Sequence, residues 1–296
     1  MKVLLTGRKG QIGSHLARLL PGFCDFWAVD QDDFDLSDTC DIFAALDGFK
    51  PNLIINAAAY TNVDSAEKNR DLAFAMNANA PKVMAEWAAE NAATLVHYST
   101  DYVYDGSGDE PWVETDLTEP INVYGESKLA GDIAVSESGA SHLILRTSWI
   151  YAASGVNFLR SMLALGAQRD TLKVVDDQIG APTSASLVAS VTVDILNQTK
   201  FGGIETFKTK GGVFHCASSG ETSWHGFAAA IFEEAAKRGC SLKIKNLIPI
   251  SSSEYPVPAA RPANSRLSLN KLSSDFQTET PHWRDTLCHV LDELFA

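Results

Sequence analysis

The segment that most constrains this chain is its beginning. The apolar run Lys2–Thr6 reads as a short strand, and Gly7-Arg8-Lys9-Gly10-Gln11-Ile12-Gly13 follows it directly. Gly7, Gly10 and Gly13 form a GxxGxxG pattern. The first glycine permits the tight strand-to-helix turn, the second lets backbone approach a pyrophosphate, and the third lets the helix pack close to the strand. A helix opening at Gln11-Ile12 would then aim its first N–H groups at the phosphates. A strand, a glycine loop and a helix in that order mark a dinucleotide-binding unit.

The remaining pattern alternates β-rich runs with helical stretches, the mark of a parallel α/β sheet. The strands predicted are Val3–Thr6, Phe26–Val29, Leu53–Asn56, Thr94–Ser99, His142–Thr147 and Leu172–Val175. The helices predicted are Gln11–Leu20, Cys40–Gly48, Asp71–Asn91, Tyr124–Ser136, Val156–Gly166 and Ser184–Asn197. Past Leu196 the rhythm changes. Gly202-Gly203 and Gly211-Gly212 bracket a loop or hairpin, followed by Val213–Cys216, a helix Ser223–Arg238 and an extended run Ile244–Ile250. A polar segment Ser251–Arg266, carrying Pro256, Pro258 and Pro262, precedes a last helix Trp283–Phe295. The expectation is a Rossmann-type doubly wound parallel sheet with a smaller α/β substrate-binding region toward the C-terminus. Residues 1–150 would form the dinucleotide-binding domain and 151–296 mainly the substrate-binding one, with the chain free to cross back.

Composition narrows the partners. With 45% hydrophobic and 21% charged residues the chain has ample material for a core. A net charge of −13 argues against nucleic acid and anionic membrane. No run approaches membrane-spanning length, and the N-terminus turns glycine-rich too soon for a signal peptide. Cys24, Cys40, Cys216, Cys240 and Cys288 are scattered without CxxC spacing, which points away from disulfides and zinc and toward a reducing cytoplasm. No metal site is expected.

Asp30 ends the second strand, where an acid meets the adenosine ribose hydroxyls, favouring NAD. Arg8 and Lys9 in the glycine loop suit a 2′-phosphate instead, so NADH and NADPH both stay open. Asp35 and Leu36 sit where the adenine edge would lie. Ala57, Ala58 and Ala59 follow the third strand, small enough for a cofactor to lie against backbone.

Tyr124-Gly125-Glu126-Ser127-Lys128 places a phenol and an ammonium four residues apart on one helix face. Tyrosine is a weak acid near pH 10, and an adjacent ammonium favours its ionised form. Lys128 can also bond nicotinamide ribose hydroxyls. Ser99 and Thr100 end a strand on the cofactor side, where a hydroxyl can bond the substrate oxygen; Thr100 is the choice. With the glycine loop, Tyr124, Lys128 and Thr100 point to hydride transfer on a carbonyl or alcohol.

These three motifs resemble the extended short-chain dehydrogenase/reductase superfamily. Further segments resemble the dTDP-4-dehydrorhamnose reductase family: Asn56–Asp64, Glu67, Arg146-Thr147-Ser148-Trp149-Ile150-Tyr151, Asp177-Gln178-Ile179-Gly180-Ala181-Pro182-Thr183, and Arg261-Pro262-Ala263-Asn264-Ser265-Arg266-Leu267. The likeness covers essentially the whole chain. It implies reduction of dTDP-6-deoxy-L-lyxo-4-hexulose to dTDP-L-rhamnose with NADPH or NADH. Tyr124 would protonate the C4 oxygen, Lys128 would tune it and hold the ribose, and Thr100 would orient the carbonyl. Asp101 would contact the sugar, Val63, Asp64 and Tyr102 would line its pocket, and Trp149 would pack on sugar or nicotinamide, unless it is a core residue. Arg261 and Asn264 would lie on the substrate side and reach toward the nucleotide, with a structural ion pair the other reading of Arg261. The chain would be a monomer or homodimer. Some family members build a magnesium-bridged dimer with an acid just after the third glycine; here Ser14-His15 follows, and Ser184–Asn197 carries only Asp194, which argues against that dimer.

Two other functions fit the same motifs. One is a different nucleotide-sugar reductase or epimerase on this fold. The other is a non-catalytic regulatory subunit of a methionine adenosyltransferase, against which intact Tyr124, Lys128 and Thr100 weigh.

Overall fold

The computed structural model describes residues 1–22, 25–199 and 204–296. Cys24 and Gly202-Gly203 lie outside the described residues. Six strands pair into one parallel sheet: β1 (Lys2–Thr6), β2 (Asp25–Val29), β3 (Leu53–Asn56), β4 (Thr94–Thr100), β5 (Ser141–Thr147) and β6 (Gly212–His215). Their spatial order is β6-β5-β4-β3-β1-β2. The chain steps from β1 out to β2 and then back across to β3, so the order reverses between β1 and β3. Such a switch point opens a crevice at the carboxyl ends of the strands, where ligands of open α/β sheets bind.

Strand composition explains the two helical layers. Val3 and Leu5 of β1, Leu53 and Ile55 of β3, and Leu143 and Leu145 of β5 enter one core. Leu4, Ile54 and Ile144, the alternate residues, enter the other. Strands buried on both faces read as continuous apolar runs. The first core is closed by helices Gln11–Leu19 and Ala185–Gln198, through Leu16, Val188 and Ile195. The second is closed by Thr39–Phe49 and Ala80–Glu90, through Ile42, Leu46 and Met84.

A third core belongs to the C-terminal half. Leu159, Phe227, Ile231, Trp283 and Leu287 are among its fully or almost fully buried members. Helices Phe158–Gln168, Trp224–Lys237 and Trp283–Phe295 supply most of them. The chain nonetheless returns to the main sheet. Strand β6 pairs in parallel with β5, and its Phe214 packs on Phe276 of helix Asn270–Phe276 at 5.0 Å between ring centroids.

Three sequence expectations change. The strand Leu172–Val175 forms, as Thr171–Val175, but pairs with Asn246–Ile250 outside the main sheet. Its place as sixth strand goes to β6, whose partner β5 lies some seventy residues earlier in the chain. The stretch between the two glycine pairs contains helix Ile204–Lys210, not a loop or hairpin alone. The single helix Asp71–Asn91 is broken into Arg70–Phe74, a π-turn Ala75–Asn79 and Ala80–Glu90. Pro81 lacks the N–H that would continue the α-ladder there. Among the described residues, no helix is long and apolar enough to cross a membrane.

Candidate active site

Gly7 has φ +73° and leaves β1 in the left-handed region. A Cβ on it would lie 2.9 Å from the Ala58 backbone, so the glycine lets the loop ride against the chain leaving β3. A Cβ on Gly13 would lie 2.0 Å from the Gly7 carbonyl oxygen, so only glycine lets the helix approach the loop this closely. Gly10 is the N-cap of helix Gln11–Leu19. No side chain caps that helix, and its first turn holds no acid. The loop thus has the close backbone and uncapped first turn that a pyrophosphate requires. Gln11 accepts from Asn157 Nδ2 at 3.0 Å, tying the loop to the region after β5, while Ile12 packs into the first core. Ala57, Ala58 and Ala59 are half-buried along the rim.

Asp30 lies at the end of β2. Its carboxylate accepts from Lys9 N at 2.8 Å and from Gln31 N at 2.9 Å. Asp35 is turned into its own loop, accepting from the backbone and hydroxyl of Ser37 at 2.8 Å. Leu36 packs against the second core.

The Tyr124 helix, Val123–Glu137, starts at Asn122, whose side chain accepts from Gly125 N at 2.8 Å. Gly125 sits where a Cβ would meet the Tyr102 carbonyl oxygen at 2.2 Å, so this helix presses against the turn Asp101–Val103 that follows β4. That contact brings the Tyr124 and Thr100 side chains together. Burial pushes the Tyr124 phenol above its usual range; the nearby Thr100 hydroxyl opposes this and Asp101 adds to it. Tyr102 stands edge-on to Tyr124, 5.6 Å between centroids.

Thr100 both caps the Asp101–Val103 turn, accepting from Tyr102 N at 3.2 Å, and donates to Asp101 Oδ1 at 3.1 Å. Asp101 is 2% exposed. Burial lifts its carboxyl to about 7, with the neighbouring Ser265 and Thr100 hydroxyls pulling the other way. Ser99, the other candidate hydroxyl, lies against Asp132 instead.

Lys128 is 2% exposed and donates to the Tyr98 carbonyl at 2.6 Å, with His97 Nε2 3.3 Å away. Burial lowers its ammonium to about 8, with Asp132 pulling the other way. Behind it, Arg146 Nε donates to Asp132 at 3.0 Å and Arg146 Nη1 to the Tyr104 hydroxyl at 2.9 Å.

The substrate-side residues divide. Val63 and Asp64 open the short helix Val63–Ala66, capped by Asn62. Asp64 forms an ion pair with Arg261 at 2.9 Å and accepts from Ala259 N at 3.2 Å. Arg261 is therefore engaged in the structural pair that was its second reading, one that clasps the proline-rich segment to the loop after β3. Asn122 adds a bond to the Ala260 carbonyl at 2.8 Å. Asn264 is 2% exposed and its amide serves the chain itself, donating to Glu110 O at 2.8 Å and accepting from Arg266 N at 3.2 Å. Trp149 has φ +49° and stacks on Trp224, 3.7 Å between centroids, with Trp224 Nε1 bonded to Gln178.

Two residues of this constellation escaped the sequence reading. Asn77, in the π-turn, accepts from Tyr60 N at 2.8 Å and donates to Ser127 Oγ at 2.9 Å, joining the loop after β3 to the Tyr124 helix. His97 touches Lys128 from mid-strand. A π-turn at a proline was the available signal for the first; His97, inside an apolar run, carried none.

A glycine loop at a sheet switch point, beside a Tyr/Lys helix and a strand-end threonine, is the architecture of Rossmann-type reductases and epimerases. Comparison with known proteins narrows this. The family model described as RmlD substrate binding domain matches residues 1–296, and the chain belongs to that family. It is 41% identical to the dTDP-4-dehydrorhamnose reductase of Shigella flexneri, over 100% of this chain and 99% of that protein. It superposes on the crystal structure of a dTDP-4-dehydrorhamnose reductase from Clostridium acetobutylicum with TM-score 0.91 and 35% identity, covering 100% of both chains. A third likeness is the Bacillus anthracis dTDP-4-dehydrorhamnose reductase crystallised in complex with NADP: TM-score 0.89, 35% identity, 99% of both chains.

Proposed function

We propose that this chain is a nicotinamide-dependent reductase that converts the C4 ketone of dTDP-6-deoxy-L-lyxo-4-hexulose to the alcohol of dTDP-L-rhamnose. The observation that carries the chemistry is the Thr100–Tyr124 hydroxyl pair at the end of β4, with the buried Lys128 one turn further along the Tyr124 helix. The family and its whole-length relatives carry the substrate.

The glycine loop Gly7–Gly13, Ala57–Ala59 and Asp30 would hold the dinucleotide, with Asp35 and Leu36 on its adenine side. The reduced nicotinamide, when bound, supplies the hydride for C4. Tyr124 gives its phenolic proton to the C4 oxygen as negative charge grows there. A phenol pushed upward by burial stays protonated at neutral pH, which is the form a donor needs. Lys128 stabilises the phenolate left behind and holds the ribose. Thr100 orients the carbonyl, and Asp101 bonds a sugar hydroxyl. Tyr102, Val63, Asp64 and Trp149 wall the sugar. Arg261, ion-paired with Asp64, would meet the nucleotide end, with Asn264 supporting the same segment. Residues 151–296 supply mainly the substrate side, and the setting is cytoplasmic.

The test is consumption of NADH or NADPH with the dTDP-hexulose, with product identified by chromatography. Oxidation with dTDP-L-rhamnose formed supports the reading. Turnover without added cofactor would redirect it to an epimerase, and nucleotide binding with no turnover to the regulatory-subunit reading.

A further inference from the structure

The loop that would meet the adenosine ribose holds two cations and three carboxylates, and their pairing is specific. Arg8 Nη1 donates to Asp33 Oδ2 at 2.8 Å and to the Ala28 carbonyl at 2.9 Å. Asp33 is itself seated by backbone, since its Oδ2 also accepts from Asp30 N at 2.7 Å and its own N–H donates to the Asp30 carbonyl at 2.8 Å. Lys9 pairs with Asp32 through its ammonium. The Lys9 backbone N–H and the Gln31 N–H support the Asp30 carboxylate. Among these interactions, Asp30 rests on N–H donors alone, while its two neighbours engage the cations.

The chemistry of the two dinucleotides decides what this arrangement favours. A ribose diol offers two O–H donors, and a carboxylate oxygen has lone pairs beyond those used by the Lys9 and Gln31 N–H groups. A 2′-phosphate carries nearly two negative charges at neutral pH and needs freely placed guanidinium or ammonium donors. Here Arg8 Nη1 serves both Asp33 and the Ala28 carbonyl, so a 2′-phosphate must share the guanidinium with a carboxylate that already neutralises it and repels the phosphate. Lys9 and Asp32 are more than half exposed, so that pair is the weaker of the two. Arg8 and Asp33 are each about one-third exposed, and each has a second partner in the backbone.

We infer that Asp33, by engaging and neutralising Arg8 beside Asp30, with Asp32 doing the same more weakly to Lys9, makes this chain bind NADH more tightly than NADPH. Asp33 acts through Arg8 and is a specificity-determining residue, not a ligand of the ribose. The inference rests on the reading of Gly7–Gly13 and Asp30 as the adenosine side of the cofactor site.

Equilibrium titration of the full chain with NADH and with NADPH, followed by nicotinamide fluorescence, tests it without turnover. The unaltered chain should favour NADH by about tenfold or more. Asp33→Asn should shift the affinity ratio toward NADPH by about tenfold, since Arg8 gains a charge-assisted bond to phosphate. Adding Arg8→Ala to Asp33→Asn should return the ratio toward its starting value, a cycle that a loop merely loosened by substitution would not reproduce. Equal affinities or an NADPH preference in the unaltered chain would overturn the inference, as would an Asp33→Asn ratio that Arg8→Ala does not reverse. Failure of the underlying site reading looks different: neither nucleotide binds, or Asp30→Ala leaves NADH affinity intact, and the inference falls with it.

Discussion

His97 Nε2, midway along β4, lies 3.3 Å from the Lys128 ammonium, and its Nδ1 lies 3.2 Å from the Asn56 amide at the end of β3. Burial holds the imidazole well below its usual pKa, with Lys128 adding to the effect, so it faces the ammonium as a neutral ring. Two adjacent strands thereby position one side chain of the helix Val123–Glu137. His97→Leu removes that support and should cut kcat/KM by about ten- to a hundredfold, the loss of one hydrogen bond to a charged group. His97→Gln should recover part of it. Steady-state kinetics of both variants is the check, and equal losses would show only a packing role.

Tyr124→Phe deletes the proposed proton donor while keeping its ring against Tyr102. Turnover should fall by about 10²–10⁴-fold with nucleotide affinity retained. Thr100→Val should fall less, since it removes an orienting bond. A Tyr124→Phe enzyme of ordinary rate would remove Tyr124 from the mechanism.

The pH dependence of stability should carry the mark of Asp101. Its folded pKa is raised from 3.8 to about 7, chiefly by burial. The stability it contributes is therefore complete below 3.8 and is lost as pH rises through about 7. Lys128 has the opposite sign: lowered from 10.5 to about 8, its contribution is present above 10.5 and lost as pH falls through about 8. Urea denaturation at a series of pH values should show a flatter decline between 3.8 and about 7 in Asp101→Asn than in the parent. Identical slopes would count against a buried acid there.

Gly13→Ala tests the packing of the glycine loop. Its new Cβ would stand 2.0 Å from the Gly7 carbonyl oxygen, so loop or helix must move. Overpacking of this kind costs about 1–3 kcal/mol. Both unfolding free energy and nucleotide affinity should drop. Stability lost with full nucleotide affinity would separate the loop's fold from its binding role.

The Asp132–Arg146 pair is 3.0 Å apart, with side chains 3% and 6% exposed. Removing one partner strands a buried charge. Arg146→Met alone should destabilise by about 3–5 kcal/mol, and Asp132→Asn with Arg146→Met by less. Denaturant unfolding of the single and double variants decides it, and additive losses would mean the pair is not coupled.

Local pattern carried most of the fold. Strands β1 to β5 and the helices Gln11–Leu19 and Val123–Glu137 lie within one or two residues of the ranges read from apolar runs, glycines and helical spacing. That Gly7 and Thr100 lie at the carboxyl ends of β1 and β4 was legible too, because strand ends of a parallel sheet share one edge. These features depend on neighbours a few residues away, and chemistry along the chain encodes them directly.

What only the tertiary structure decided depends on distant neighbours. That β6 pairs with β5 while Thr171–Val175 pairs with Asn246–Ile250 is invisible to periodicity, since either strand is apolar enough to join the main sheet. The Arg261–Asp64 clasp joins residues almost two hundred apart, and no spacing rule reaches that far. His97 and Asn77 gained their partners only when strands and helix closed over them. Arg8 and Asp33 illustrate the same division: the sequence showed cations and acids around a ribose-binding position, and the fold chose which acid holds which cation. Burial raises the weight of each such choice, because a polar group taken from water must find its partner among whatever the fold brings near.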